Sequence, residues 1–229
     1  MGNIRAIYRA LHKKYRPQGW WPLSKGRAQT EHHSGPPKSY HDRWEIIAGA
    51  VLTQNTSWSN VEKAIENLNR AKQMKIDKIR KIPVKKLGRL IRPAGYYNQK
   101  AERLKIVADY FSRHFKDRTI PSREELLAVK GIGPETADSI LLYAFDQPYF
   151  VVDAYTRRIF SRLGLIKQDW SYNEVQEFFM KSLENVKGRK KTEMFKEYHA
   201  LIVEHAKRHC RAKADCDDCF LAISCKKRF

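Results

Sequence analysis

The 229-residue chain has no stretch approaching the roughly 18 consecutive apolar residues that a membrane-crossing helix needs, so no membrane span is expected. The opening MGNIRAIYRALHKKYRP lacks an apolar core and a small-residue cleavage site, and reads as no secretory signal. Its sixth residue is Ala where a myristoylation signal carries Ser or Thr. A cytoplasmic protein is expected. Cysteine is absent before position 210, and no flavin or nucleotide fingerprint and no internal repeat is present. Acidic residues are in short supply: 25 Asp plus Glu face 45 Lys plus Arg, a formal charge of +20. Self-repulsion of that size is costly unless a polyanion offsets it. Nucleic acid is the leading partner, through phosphate contacts and counterion release, with ribosome association or acidic-membrane binding as plainer alternatives.

Strand patterning is nearly missing too. Only YFVVD at 149–153 reads as extended, and it is too short to build a sheet. What is present is helical spacing. Trp44, Ile47, Ala48 and Val51 recur at i, i+3, i+4 and i+7, as do Val61, Ala64, Ile65 and Leu68. Leu104 to Phe111, Ala137 to Ala144 and Phe195 to Ile202 repeat the pattern. Pro83, RPAG at 92–95, Pro121 and DQP at 146–148 separate these segments, so an all-α fold is expected. Residues 22–41 form one long polar stretch, expected as a mobile loop with His32 and His33 exposed to solvent rather than bound to metal. The basic run KGRKK at 187–191 reads as a solvated loop.

All four cysteines fall in the last 20 residues, as Cys210, Cys216, Cys219 and Cys225 with the spacing C-x5-C-x2-C-x5-C. A cytosolic setting argues against disulfides. Four thiolates in one loop suit a metal centre, and because only one C-x2-C knuckle is present the spacing favours [4Fe-4S] over zinc. With no redox-cofactor fingerprint beside it, such a centre reads as a structural staple.

In LLAVKGIGPETADSILLYAF, Gly131 and Gly133 permit a tight turn and Pro134 suits the first turn of a helix. Free backbone N–H groups at such a turn make an anion site, and hydrophobic helix, GIG, hydrophobic helix reads as a helix-hairpin-helix. Glu135 stands in the second helix's first turn, where an acid favours the dipole. Eighteen residues later comes Asp153, a good N-cap candidate that would be held ionised by the same bonds.

A helix-hairpin-helix, an Asp at this distance and a C-terminal four-Cys loop together resemble the endonuclease III superfamily of base-excision DNA glycosylases, from about Trp20 to Cys225. AGAVLTQNT (48–56) is similar to the segment that supplies a polar wedge to the duplex, which implies Gln54. AGYYNQKA (94–101) resembles the second DNA-inserting loop and places Tyr96 at the wedge position. VKGIGPETAD (129–138) resembles the hairpin, with Gly131, Gly133 and Thr136 toward the phosphates, and Asp153 matches the catalytic aspartate. EYHALIVEHAKRHC with the three later cysteines is similar to the iron–sulfur end. Two departures matter. The first cysteine gap holds five residues where the superfamily usually has six, and Glu135 stands where bifunctional members carry the Schiff-base lysine. A carboxylate cannot form an imine, and Lys130 precedes the hairpin glycines and should face elsewhere. GIGPETADSILLY, LTQNT, YYNQKA, VVDAY and WWP at 20–22 together most resemble the bacterial 3-methyladenine glycosylase III branch.

The resemblance implies a monofunctional glycosylase that hydrolyses the N-glycosidic bond of a flipped alkylated purine. Trp20, Trp21 and Trp44 would line the base pocket, and Asp153 would stabilise the sugar cation and orient water. Double-stranded DNA carrying a damaged base is the expected partner, and the protein is expected to act as a monomer. Two subdomains are expected to meet at a cleft holding DNA: 42–153 with the hairpin, and 1–41 plus 154–229 with the cluster. Two alternatives stand beside this reading: an endonuclease III-like glycosylase for oxidised pyrimidines or mismatched or deaminated bases, and a non-catalytic DNA-binding iron–sulfur protein.

Overall fold

The computed structural model describes residues 3–27, 30–32 and 35–226; Met1, Gly2 and His33 lie outside them. Among the described residues the fold is all helical, with a single antiparallel bridge from Leu23 to Glu31 and no strand. None of these helices is long and apolar enough to cross a membrane. The chain forms two compact units, a terminal one of residues 1–20 and 147–229 and a central one of residues 21–146.

The terminal unit begins with α1 (Ile4–Tyr15), capped by the Asn3 side chain, which accepts the Arg5 N–H at 2.9 Å. Ile4, Ile7 and Leu11 form its buried stripe.

In the central unit, α2 (Tyr40–Leu52) starts at a Ser39–Asp42 capping box and is buried without a break from Trp44 to Leu52. A helix enclosed on every side belongs at the middle of a bundle. Around it come α3 (Trp58–Arg70), α4 (Ile76–Lys81), α5 (Val84–Leu90), a 3-10 turn at Arg92–Ala94 and the long α6 (Tyr97–Asp117). α6 turns Leu104, Val107, Ala108 and Phe111 inward. Burying side chains such as Leu104 and Phe111 contributes about 1.5–3 kcal/mol each. α7 (Arg123–Ala128) and α8 (Pro134–Ser139) make the hairpin, and α8 widens into a buried π turn at Ile140–Ala144. Phe145 follows and stacks on Phe111 with 5.9 Å between centroids.

Part of the stretch expected as a mobile loop is pinned to this unit. The Glu45 carboxylate in α2, 1% exposed, accepts both the N–H (2.5 Å) and the hydroxyl (2.6 Å) of Ser24. Asn69 donates to the same hydroxyl oxygen at 2.8 Å. Trp21 packs edge-on against Trp58 and Tyr143, each 5.2 Å away, with its ring over Gly49. His32 is exposed. These bonds carry Trp21 and Ser24 into the central unit, which begins at Trp21, whereas the expected division began that unit at residue 42. The later boundary also falls earlier than expected, at 146/147, which puts Asp153 in the terminal unit.

The terminal unit continues with α9 (Ala154–Arg162), α10 (Tyr172–Ser182), α11 (Gly188–Arg208) and a 3-10 turn at Ala222–Ser224. Phe150 and Phe179 stack at 4.2 Å, and Phe160 meets Phe179 edge-on at 4.7 Å. The Tyr198 hydroxyl donates to the Ile4 carbonyl at 2.8 Å, tying α11 to α1. KGRKK is not a loop but the N-cap and first turn of α11. The run lacks a capping Ser or Asp, which hides the helix start. Arg189 pairs with Glu193 at 2.8 Å and the Lys191 ammonium sits 5.5 Å from the Phe195 ring centre, which offsets the unfavourable charge at this end.

Candidate active site and DNA-binding elements

The extended run 149–153 delivers Asp153 to the start of α9. Its φ of −97° and ψ of 179° are those of an N-cap, and Oδ1 accepts the Thr156 N–H at 2.7 Å. Oδ2 lies 3.5 Å from Nε2 of His199, and the two side chains are only 13% and 7% exposed. Burial pushes the Asp153 carboxyl up, yet the hydrogen bonding and charge of His199 together with the Thr156 N–H outweigh it and hold the group below the usual carboxylate range. Asp153 is therefore a fixed, ionised acid. Trp20, half-buried, stands edge-on to His199 with centroids 5.9 Å apart. A row of Trp20, His199 and Asp153 results, all within the terminal unit.

The hairpin lies in the central unit. A Ser122–Glu125 capping box starts α7, Gly131 turns the chain with φ +93°, and Gly133 caps α8 with Pro134 behind it. A Cβ on Gly131 would sit 2.5 Å from Cγ of Arg103, so glycine is required there twice over, by dihedral and by space. At Gly133 nothing lies within 4 Å of the same point, which leaves that backbone open to approach. Glu135 and Lys130 are exposed, whereas Thr136 is buried.

Gln54 is tied into this turn. Its Nε2 donates to the Gly131 carbonyl (2.9 Å) and to Oγ1 of Thr136 (3.0 Å), while its Oε1 accepts from Arg103 (2.8 Å). Tyr96 is 66% exposed and holds a left-handed conformation, φ 45° and ψ 32°. For a bulky residue that geometry costs about 1–3 kcal/mol and persists only where the surroundings enforce it. Asn55, next to Gln54, is left-handed as well. Trp44 and Trp21, 1% and 5% exposed, are core residues of the central unit. Their burial leaves Trp20 as the tryptophan of the expected pocket with an accessible face.

The four cysteines ring one cavity at the end of the terminal unit, closed by the apolar Ile159, Leu163 and Leu221. Arg162 braces the loop: its guanidinium donates to the Cys210 sulfur (3.3 Å) and to the carbonyls of Arg211 (2.7 Å) and Ala212 (3.0 Å). Burial pushes the Cys219 thiol up, with Cys216 and Cys210 adding to the effect. Relief of that crowding is what a cation at the centre supplies. Among the described residues no three His, Cys, Asp or Glu side chains are gathered as ligands of one ion.

Residues 48–185 match the model of the HhH-GPD superfamily base excision DNA repair proteins. The chain belongs to that superfamily. This HhH-GPD protein is 47% identical to a protein of Methanocaldococcus jannaschii provisionally named a DNA repair glycosylase, over 97% of its own length and 95% of the relative's. It is 30% identical to endonuclease III of Sulfolobus acidocaldarius, over 79% of the chain and 80% of the relative. Among solved structures, the Helicobacter pylori 3-methyladenine DNA glycosylase bound to 1,N6-ethenoadenine is 31% identical. It superposes with a TM-score of 0.72, over 90% of this chain and 98% of that one. An endonuclease III–DNA complex shares the fold at TM-score 0.77 and 22% identity, over 98% and 94% of the two chains. The HhH-GPD protein is thus a base-excision-repair DNA glycosylase, and DNA is its partner.

Several residues of this HhH-GPD protein escape a reading by pattern. His199 occupies an apolar helical stripe with Phe195, Tyr198 and Ile202, and the one signal it offers is being the polar exception there. Arg103 and Arg162 sit among many cations in a basic chain and are singled out only by their partners. His205 is similar: its Nδ1 lies 2.9 Å from the Tyr15 hydroxyl and Nε2 3.7 Å from the Cys219 sulfur, while burial and His209 push it down to about 4.

Proposed function

We propose that the protein is a monofunctional glycosylase that releases alkylated purines of the 3-methyladenine kind from double-stranded DNA by hydrolysis, acting as a monomer. One observation carries the reading: Asp153 is held ionised and rigid at the head of α9, while the first turn of the hairpin's second helix offers a carboxylate, Glu135, in place of an amine. The similarity to the Helicobacter pylori 3-methyladenine glycosylase supports the substrate class.

An alkylated adenine is cationic, so the bond from C1′ to the base breaks with the electron pair going to a base that leaves neutral. Positive charge then develops on the deoxyribose, and an oriented carboxylate stabilises it. Asp153 takes that role, and its Oδ2 orients the water whose oxygen bonds to C1′, the proton passing to Asp153 or solvent. His199 keeps the acid ionised. The Trp20 face beside His199 suits a positively charged ring, by stacking and cation–π attraction. No imine forms, because Glu135 has no amine to give.

Base extrusion costs a few kcal/mol, and Gln54 and Tyr96 are the side chains assigned to fill the gap. Gly131, Gly133 and Thr136 set the hairpin against the DNA backbone, with the open Gly133 face as the phosphate contact. Cys210, Cys216, Cys219 and Cys225, which line one cavity, would hold a [4Fe-4S] cluster in preference to zinc, since their spacing contains a single C-x2-C knuckle. Such a cluster would staple the basic segment Arg211–Lys213.

A panel of duplexes with defined lesions, scored for base release and for strand cleavage in parallel, tests the assignment. Release of 3-methyladenine without cleavage or borohydride-trapped adduct is expected. Preference for oxidised pyrimidines or mismatched thymine would favour the second reading, supported by the similarity to endonuclease III. No release from any lesion would leave only a binding role.

A further inference from the structure

Lys100 is 1% exposed, among the most deeply buried side chains of the protein, and nothing in the chemistry above uses it. Its ammonium donates to the carbonyl of Leu52 at 2.8 Å and to that of Ala94 at 2.7 Å. Leu52 is the last residue of α2, and Ala94 the last of the 3-10 turn. Both carbonyls are therefore the orphaned acceptors of a helical C-terminus, where a cation is favourable. Each stands two residues before a candidate wedge: Leu52 before Gln54 and Ala94 before Tyr96. Each segment also turns left-handed immediately beyond, at Asn55 on one side and at Gly95 and Tyr96 on the other.

We propose that Lys100 is a positioning residue that locks the two DNA-inserting segments to each other, so that Gln54 and Tyr96 enter the duplex as one rigid pair. The assignment rests on the wedge roles proposed above. Burial, with Arg103 nearby, lowers the Lys100 pKa to about 8, so holding an ammonium there works against desolvation. An apolar side chain in its place would escape that penalty but strand two buried carbonyls. Joining two loop stems is what the amine adds over a packed hydrophobe. The bonds reach across 48 residues to α2 and 6 residues back to the turn.

The test compares affinity for a duplex holding a tetrahydrofuran abasic analogue with affinity for the same duplex undamaged. General destabilisation lowers the active fraction for both alike and leaves their ratio untouched. Loss of wedge alignment lowers the ratio. Lys100→Met is expected to cut the abasic preference about tenfold, with undamaged-duplex affinity held within about twofold. The fluorescence of 2-aminopurine placed beside the analogue should fall in parallel. If Lys100→Met does not fold, Lys100→Gln takes its place: the shorter amide can keep one carbonyl, and a loss of about threefold is expected. An unchanged ratio in the folded variant overturns the proposal. Gln54→Ala and Tyr96→Ala separate the two layers of the argument. If they lower the ratio while the Lys100 variant does not, the wedges stand and the lock fails. If neither lowers it, the wedge assignment itself fails and takes the lock with it.

Discussion

Asp153 and His199 face each other at 3.5 Å, Oδ2 to Nε2, across two different helices of the terminal unit. Two opposed effects meet there. Burial favours the protonated acid, while the imidazole and the Thr156 N–H favour the carboxylate, and the second pair prevails. The charge state of this buried acid is defined by its neighbour as much as by itself.

The pH dependence follows with a definite sign. An acid whose folded pKa is depressed adds stability that is complete above its unfolded value, about 3.9, and lost as pH falls through the folded one. The active carboxylate should therefore persist below about pH 4 in the native protein. His199→Leu removes the strongest influence that lowers the carboxyl, and burial then dominates. Its single-turnover excision profile should show an acid limb moved upward, past about pH 4. Identical limbs in both proteins would detach His199 from the acid.

Asp153→Asn isolates the charge. Asn caps helices about as well as Asp, so the Thr156 N–H keeps its acceptor and stability should change by less than about 1 kcal/mol. Base excision should fall by about 10²–10³-fold, the scale seen when one electrostatic stabiliser is removed. Affinity for a tetrahydrofuran duplex should stay within about threefold. Retained excision would mean that another group steadies the sugar.

Glu135 is expected to be chemically idle. It is exposed in the first turn of α8, where an acid gains about 0.3–1 kcal/mol from the helix dipole. Glu135→Gln should cost no more than that in thermal unfolding and leave base release within about threefold. Borohydride should trap no adduct with either protein. A collapse of excision in the variant would move the chemistry from Asp153 to the hairpin.

The helices were legible because their evidence is local. Trp44 to Val51 and Leu104 to Phe111 announce α2 and α6 by spacing, and GIGP announces the hairpin by backbone chemistry. Asp153 was legible as a cap. What stayed hidden depends on partners far along the chain. Ser24 meets Glu45 and Asn69, and bonds of that kind show that the stretch beginning at Trp21 belongs with the bundle. Lys100 looks like any cation of a basic helix until its carbonyl partner at Leu52 is placed. Trp44 fits a pocket or a core equally well in sequence, and its 1% exposure decides for the core.

The two hairpin glycines should separate stability from binding. Gly131→Ala adds a Cβ at φ +93°, against Cγ of Arg103 at 2.5 Å, and displaces the side chain that holds Gln54. A loss of about 1–3 kcal/mol in urea unfolding is expected. Gly133→Ala meets no atom within 4 Å at an ordinary φ of −98°, so stability should move by less than about 0.5 kcal/mol. If a phosphate approaches there, duplex affinity should drop about three- to tenfold in Gly133→Ala alone. Unchanged affinity would place the phosphate elsewhere on the turn.

Metal analysis decides the nature of the cysteine site. Protein purified without oxygen should contain iron and acid-labile sulfide and absorb in the visible, and Cys216→Ser should lose most of both. Because ligand binding at such a site is also folding energy, the terminal unit should suffer. Each kcal/mol lost lowers Tm by about 2–4 °C at this chain length, so a drop of several degrees is expected. The damage should begin where the cavity wall is built, in the loop that Arg162 braces through Cys210, Arg211 and Ala212. Hydrogen exchange at residues 210–225 should rise before that of α2, which belongs to the other unit. Stoichiometric zinc in place of iron would overturn the cluster assignment while leaving the staple role open to the same exchange measurement.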